Sequence, residues 1–117
     1  MVEISNSYPD IVYSDNNLAT LQVNGLLGEV AGKAMVVIYF NSVAVIENLQ
    51  VLPSYRRNKI GTNLVAKIEE WSIDKKAKYT FMRFAPCDFG DTFTLSKLLL
   101  ANNYSFNGIG FIKKLSN

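Results

Sequence analysis

The chain has almost none of the side chains that most often build metal sites and nucleophilic active sites. Its 117 residues include a single cysteine, Cys87, and no histidine. One cysteine cannot form an internal disulfide. The lack of histidine excludes Cys/His zinc sites and the Ser-His-Asp and Cys-His arrangements. We therefore expect no metal centre, and we expect Cys87 to be inert because Arg83 is the one cation near it in sequence.

Long apolar runs are lacking too. The longest spans residues 34–40, which is far shorter than the roughly 20 residues of a membrane-spanning helix. The start of the chain has no apolar core behind a basic segment, as a signal peptide would. The net charge of +2 is too small to indicate a nucleic-acid or membrane surface. We therefore expect a cytoplasmic protein with no nucleic-acid or membrane partner.

Apolar residues, by contrast, are plentiful. They make up 49% of the chain, and only 19% of the residues are charged, so the composition is not that of a disordered chain. A length of 117 residues is typical of one domain, and no repeat, low-complexity tract or linker divides the sequence. We expect a single domain over residues 1–117 with a packed core.

The first 25 residues fit two secondary structures. Leu18 and Leu21 suit a short helix capped by Asp15 or Asn16, whereas residues 19–23 also suit a strand; we slightly favour the helix. Three short runs rich in Val, Ile and aromatic residues follow, at 26–30, 34–40 and 43–51. Because the connections between these runs are short, they predict an antiparallel meander.

Helical spacing begins at residue 60. An amphipathic helix is predicted over residues 60–74, with its apolar face formed by Ile60, Leu64, Ile68 and Trp71. Residues 79–85 predict a strand, and a second helix is expected from Asp91 or Thr92 to a left-handed exit at residues 102–103. A final hairpin turns at residues 107–108. The expected fold is an α+β sandwich, with a mixed, mostly antiparallel sheet flanked by helices.

The segment from residue 44 to residue 64 carries most of the functional information. It combines a hydrophobic strand, a basic turn and the first turn of the amphipathic helix. Amides at a helix start lack internal partners and face an excess of positive potential, so they bind anions, phosphates above all. Arg56, Arg57 and Lys59 add positive charges at the same place. The alternative is a solvated surface turn without a ligand.

This segment resembles the acetyl-CoA-binding motif of the GNAT (GCN5-related N-acetyltransferase) family. The motif is Arg or Gln, any two residues, Gly, any residue, then Gly or Ala. Arg56 takes the first place and Gly61 the last, while Lys59 stands where the first glycine is expected. The preceding strand and the end of the chain are similar to the family as well, so the resemblance covers about residues 26–115.

The resemblance implies an acetyl-CoA-dependent N-acetyltransferase in which a primary amine attacks the thioester directly. The amides of residues 57–62 would hold the pyrophosphate of the cofactor. The backbone of residues 49–51 would run beside the pantetheine arm, where a strand splays open, and the second helix would flank the thiol. The cofactor-binding residues implied in this way are Leu49, Gln50, Val51, Arg56, Arg57, Asn58, Lys59, Ile60, Gly61, Thr62 and Asp91.

Glu47 is the candidate general base. Strict alternation along residues 43–51 places it beside Val45 and Leu49 in an otherwise apolar row. A carboxylate in such a row either forms an ion pair, for example with Arg83, or borders a cleft. In a cleft it would accept a proton from the acceptor amine.

Two residues depart from the family pattern. Lys59 replaces a glycine, and we expect a right-handed backbone there because a residue with a side chain does not freely adopt positive φ. The tyrosine that protonates the departing thiolate in many members falls on Leu99, and Ser96 and Tyr104 are poor substitutes for it. Both departures favour an alternative function, a non-catalytic module with the same fold that binds CoA or another protein.

The resemblance also implies a wall around the acceptor site that this chain is too short to build. The family usually has two helices between its first two strands, and at most one short helix fits before the meander here. Either the groove is open to a bulky acceptor, or a second subunit completes it in a homodimer. Exposed apolar sheet would favour the homodimer.

Overall fold

In the computed structural model, the described residues are 8–25, 27–55, 59–83 and 92–115. They form seven strands, two α-helices and one short 3-10 helix, η1. In chain order these elements are β1 (Asp10–Ser14), β2 (Leu18–Asn24), β3 (Val30–Tyr39), β4 (Val43–Val51), η1 (Pro53–Tyr55), α1 (Ile60–Asp74), β5 (Tyr79–Arg83), α2 (Thr92–Ala101), β6 (Ser105–Phe106) and β7 (Gly110–Lys114). Neither α-helix is long and apolar enough, over its described residues, to cross a lipid bilayer.

The strands form one sheet in the order β1-β2-β3-β4-β5-β7-β6. Every neighbouring pair is antiparallel except β4 and β5, which are parallel. A parallel pair needs a crossover connection, and α1 provides it. This arrangement confirms the expected α+β class with a mixed, mostly antiparallel sheet.

The core lies between α1 and one face of the sheet. Ile60, Leu64, Ile68 and Trp71 are all buried, as the helical spacing predicted. They pack against β2, β3 and β4, whose inward side chains include Leu21 and Val36. Trp71 also donates its Nε1–H to Ser14 Oγ at 3.1 Å, which ties α1 to the edge strand β1.

The short helix expected near Leu18 is wrong, and the strand alternative holds. Residues 18–24 form β2, which pairs with β3 through Leu21 and Ala34. Asp15, the expected helix cap, instead closes the β1–β2 turn, because its Oδ1 accepts from the amides of Asn17 and Leu18 at 2.9 Å each. Asp side chains favour helix caps and such turns for the same reason, a nearby amide to bind.

The predicted break at residues 31–33 is also wrong. β3 runs unbroken through Gly32, which we interpreted as part of a connection. A Cβ atom on Gly32 would lie 2.7 Å from Ile60 Cγ2, so this glycine lets the start of α1 approach the sheet closely. Glycine in a strand marks such an approach as often as it marks a turn.

The predicted turns near the end of the chain are confirmed. Asn103 has φ 72° and ends α2 in the left-handed conformation. Gly108, with φ 99°, lies in the tight turn between β6 and β7. In the same turn Asn107 Oδ1 accepts from the amides of Ile109 and Gly110.

The sheet face opposite α1 carries half-buried or exposed side chains, and we name it the open face. Cross-strand pairing arranges it in rows. Towards the start of β4 the rows are mostly apolar, with Leu18, Val37, Tyr39, Val43, Val45, Tyr79, Phe81 and Ile112, and Lys114 lies beside Tyr79. Towards the end of β4 they are mostly polar, with Thr20, Gln22, Lys33, Met35, Asn48 and Gln50. The open face thus has an apolar half and a polar half.

Candidate functional site

The parallel strands β4 and β5 separate halfway along β4. Their pairing runs from Val43 and Tyr79 to Val45 and Phe81 and goes no further among the described residues. β4 nevertheless continues to Val51, still paired with β3 on its other side. The second half of β4 therefore has a backbone edge that β5 does not cover, at the carboxyl ends of both strands.

A β-bulge marks the point where the two strands part. The β3–β4 register shifts between Met35, which faces Asn48, and Val36, which faces Ile46. Glu47 is the extra residue. A bulge inserts one residue and re-aims the side chains around it, so the strict alternation that we applied to β4 is wrong beyond Glu47. Leu49 is buried on the α1 face and does not share a row with Glu47.

Glu47 is exposed, and its partner is a tyrosine. Tyr39 donates its hydroxyl to Glu47 Oε1 at 3.1 Å, and this bond raises the pKa of Tyr39. The expected alternative, an ion pair with Arg83, does not occur among the described residues. The carboxylate therefore lies on the open face, at the bulge, and Tyr39 fixes its direction.

The three strand residues implied in cofactor binding follow the bulge. Leu49 is buried, while Gln50 and Val51 are half-buried. All three belong to the part of β4 that pairs with β3 and, among the described residues, does not pair with β5. Asn48 lies in the same stretch, and its Oδ1 is buried without a partner among the described residues.

The first turn of α1 lies over the end of β4. Ile60 packs on Gly32, which pairs with Val51 at that end of the strand. Asn63 makes the first helical bond, to the carbonyl of Lys59 at 2.9 Å. Amides at a helix start lack acceptors within the helix, and those of residues 60–62 have this position in α1. The first turn contains no acidic residue, so the positive end of the helix dipole is not offset there.

Lys59 is the N-terminal capping residue of α1, and its backbone is left-handed. Its φ is 62° and its ψ is 18°, with no side-chain capping bond. The expected right-handed backbone is therefore wrong. Lys59 has the left-handed backbone conformation that a glycine would adopt without strain. The lysine side chain is exposed beside the first-turn amides.

Gly61 lets the two helices meet. A Cβ atom on Gly61 would lie 2.9 Å from Leu98 Cδ2 in α2. The first turn of α1 and the middle of α2 are thus in direct contact at the same edge of the sheet. The small residue that the motif requires has a packing role here, in addition to any contact with an anion.

Some of the predicted site residues are not among those described. Arg56, Arg57, Asn58 and Asp91 lie outside the described residues, and so does Cys87. The structure describes seven residues of the implied cofactor set and brings them to one edge of the sheet. One is Lys59, and the other six belong to β4 and to the first turn of α1. These six are Leu49, Gln50, Val51, Ile60, Gly61 and Thr62.

Leu99 and Tyr104 are core residues. Leu99 is 0% exposed and contributes no proton donor. Tyr104 is buried as well, its hydroxyl lies 2.7 Å from Thr80 Oγ1, and burial raises its pKa. Tyr104 thus packs as the sequence suggested.

Three residues near the site were missed by the sequence reasoning. Tyr39 is eight residues from Glu47 across the β3–β4 hairpin, and pairing the hairpin would have brought them together. Tyr55 and Glu29 are 26 residues apart and joined by a hydrogen bond of 2.5 Å. No local pattern connects the last two, since their contact depends on the whole sheet.

Several solved structures share this architecture. The ribosomal-protein-S18-alanine N-acetyltransferase from Escherichia coli matches with a TM-score of 0.71 and 13% identity, over 89% of this chain and 73% of that one. The aminoglycoside 6'-N-acetyltransferase from Enterococcus faecium matches with a TM-score of 0.69 and 15% identity, over 88% and 76%. A PaiA N-acetyltransferase from Thermoplasma acidophilum, solved in complex with coenzyme A, matches with a TM-score of 0.69 and 17% identity, over 86% and 62%.

Sequence comparison gives the family. No curated protein matches the chain significantly by sequence. The model of the acetyltransferase (GNAT) family, however, matches residues 5–91, which is well over half of the chain. That span includes β1 to β5, the bulge and the start of α1 described above. The chain therefore belongs to the GNAT acetyltransferase family.

Proposed function

We propose that the chain is an N-acetyltransferase that moves an acetyl group from acetyl-CoA to a primary amine. One observation carries this proposal most directly. The part of β4 beyond its pairing with β5 and the first-turn amides of α1 lie at the same end of the described sheet. A groove of backbone groups beside an anion-binding helix end suits a long ligand with a pyrophosphate in its middle.

The cofactor would be held mainly by backbone. Amides of residues 60–62 would bind the pyrophosphate, with Arg56, Arg57 and Lys59 adding positive charge. The pantetheine arm would lie along residues 49–51 in the place of a strand. An amide in that stretch would polarise the thioester carbonyl, as an oxyanion hole does. Asn58 and Asp91 complete the proposed set.

Glu47 would act as the general base. The amine nitrogen attacks the thioester carbon, the C–N bond forms, the C–S bond breaks, and Glu47 takes the amine proton. Tyr39 would orient the carboxylate through its 3.1 Å bond. The position of Glu47 supports this role, because the residue lies at the bulge where β4 and β5 separate.

The departing thiolate would take its proton from water. Leu99 and the buried Tyr104 are both unsuited to donate one. A thiol with a pKa of roughly 8.5 is a tolerable leaving group without an acid. A solvent proton is accessible because the open face leaves this side of the site exposed.

The acceptor would approach over the polar half of the open face. Only residues 15–17 connect β1 and β2, so no helix walls the groove among the described residues. An open groove suits a bulky acceptor, such as an amine on a macromolecule. The apolar half would then be left for a second copy of the chain.

The second candidate function is a CoA-binding module without catalysis. The apolar Leu99 at the expected acid position favours it, as does Lys59 in the motif. Both candidate functions require binding of CoA or acetyl-CoA, but only the enzyme transfers the acetyl group to an amine.

The first experiment is thermal unfolding with and without acetyl-CoA. Saturating ligand at about 100 times Kd should stabilise the fold by roughly 2.7 kcal/mol, a shift of several degrees. Adenosine, which lacks the pyrophosphate, serves as the control and should give no comparable shift. An unchanged midpoint with acetyl-CoA would remove both candidates. Release of free thiol with a panel of amines then separates the enzyme from the module.

A further inference from the structure

A buried tyrosine and a turn carboxylate are joined beside the proposed cofactor loop. Tyr55 donates its hydroxyl to Glu29 Oε2 at 2.5 Å. Tyr55 is only 6% exposed, whereas Glu29 is exposed. The other carboxylate oxygen, Oε1, accepts from the amide of Leu27 at 3.0 Å. Both oxygens of Glu29 are therefore engaged.

Each partner is also fixed through its backbone. On one side, Gly25 donates its amide to the carbonyl of Glu29 at 2.8 Å, within the turn between β2 and β3. On the other, Tyr55 donates to the carbonyl of Leu52 at 2.9 Å, and Leu52 donates to Ala31 at 3.0 Å. The pair thus connects Glu29, just before β3, to the segment that leaves β4.

Gly25 leaves the space that this pair occupies. A Cβ atom there would lie 2.6 Å from Glu29 Oε1 and 2.7 Å from the Tyr55 hydroxyl oxygen. The φ of Gly25 is not left-handed, so the backbone alone does not require a glycine. A side chain at this position would therefore displace the ends of the Glu29 and Tyr55 side chains.

Tyr55 immediately precedes the basic turn of the motif. Ile60, which is buried, fixes the chain again at the start of α1. The residues between them, 56–59, hold most of the charge proposed to meet the pyrophosphate. Fixing both ends of a short segment reduces the entropy that is lost when it binds a ligand.

We propose that Tyr55 and Glu29 are positioning residues that hold the entrance of this loop and thereby set the affinity for acetyl-CoA. The inference rests on the proposed function. Neither residue touches the reacting atoms, so the pair should affect cofactor binding and leave the chemical step alone. The hydrogen bond also lowers the pKa of Glu29 and raises that of Tyr55, which keeps the carboxylate charged and the phenol protonated.

The test measures the kinetics and cofactor binding of Tyr55→Phe and Glu29→Gln. A hydrogen bond to a charged group is worth enough to raise the acetyl-CoA KM by about three- to tenfold. The kcat at saturating acetyl-CoA should not change. Tyr55→Phe removes the bond and Glu29→Gln replaces its charged acceptor by a neutral one, so the double variant should be little worse than Tyr55→Phe.

Tyr13→Phe is the matched control. It removes another tyrosine–carboxylate bond, from Tyr13 to Asp15 at 3.0 Å, on the exposed strand β1. That bond is not connected to the loop, so the KM should stay as in the wild type.

The outcomes are separable. If both variants lower the unfolding midpoint but leave the KM and Kd of acetyl-CoA unchanged, the pair is only structural and this inference is overturned. If the wild type itself does not bind acetyl-CoA, the proposed function fails together with it. Should Tyr55→Phe fail to fold, Glu29→Gln decides alone, because its side chain is exposed and its shape is kept.

Discussion

At the scale of single residues, two positions connect the backbone of this chain with its proposed chemistry. Glu47 lies on the open face with Val45, and the bulge at Glu47 places Leu49 on the opposite, buried face. Lys59 adopts a left-handed backbone although it carries a side chain. Both are local irregularities at the edge of the sheet where the site is proposed, and strained or irregular backbone is common at such sites.

Replacing Glu47 by Gln tests its role as base. The substitution keeps the size and removes the proton acceptor, so kcat should fall by about 100-fold or more. Stabilisation by acetyl-CoA, measured by thermal unfolding, should remain. Glu70→Gln on the exposed side of α1 is the control and should leave kcat as it is. An active Glu47→Gln enzyme would mean that the base lies elsewhere.

Lys59 can be tested with a pair of variants. Lys59→Gly removes the side chain and relieves the left-handed strain, whereas Lys59→Ala removes the side chain and keeps the strain. The left-handed conformation costs a residue with a side chain about 1 kcal/mol. The glycine variant should therefore unfold roughly 4 °C or more above the alanine variant in calorimetry. Equal midpoints would mean that the backbone at this position is not strained.

At the scale of elements, the site is assembled by close approaches between a helix and its neighbours. Gly32 lets Ile60 rest on the sheet, and Gly61 lets Leu98 of α2 rest on α1. The Tyr55–Glu29 bond then connects η1 to the β2–β3 turn. The start of α1 is thus supported by β3, by α2 and, through the loop, by a turn distant in sequence.

The connection through Glu29 has a pH dependence whose sign follows from its pKa. The hydrogen bond from Tyr55 lowers that pKa from 4.5, so folding favours the charged carboxylate. The stabilisation is complete above the unfolded value and is lost as the pH falls through the lower folded value. In thermal unfolding, the difference between the wild type and Glu29→Gln should be constant near neutrality and shrink below about pH 4.5. A difference independent of pH would contradict the charged state of Glu29.

At the scale of the whole molecule, the two halves of the open face are proposed to bind different partners. Its polar half adjoins the β4–β5 opening and is proposed for the acceptor. Its apolar half spans five strands and two rows, which is roughly 200–300 Å² against the roughly 800 Å² per partner of a standard interface. A dimer with a two-fold axis would use the same patch on both copies. We therefore expect copies of the chain to associate through it, but weakly.

Sedimentation velocity over a range of concentrations checks this expectation. The wild type should shift from monomer to dimer as its concentration rises. Val37→Glu places a charge in the centre of the apolar half and should remain a monomer. Ile73→Glu, on the exposed side of α1, is the matched control and should behave as the wild type. A dimer that persists in Val37→Glu would place the interface elsewhere.

The sequence by itself determined the elements whose signals are local. The period of α1, the left-handed exit at Asn103 and the Asn107-Gly108 turn each depend on a few neighbouring residues, and all are found in the structure. The basic turn before a helix likewise predicted an anion site, and its resemblance to the acetyl-CoA-binding motif indicated the family that the family model shows. Where one local pattern fits two structures, as around Leu18, pairing with β3 decided the outcome.

Only the tertiary structure decided the features that join distant segments. The parting of β4 from β5 depends on the crossover through α1, and the bulge at Glu47 depends on the register of β3. Gly32 and Gly25 serve packing partners that lie far along the chain. The Tyr55–Glu29 bond exists because the sheet brings a turn and a loop entrance together. Contacts of this kind arise from the fold as a whole, since local sequence encodes local geometry and not which surfaces meet.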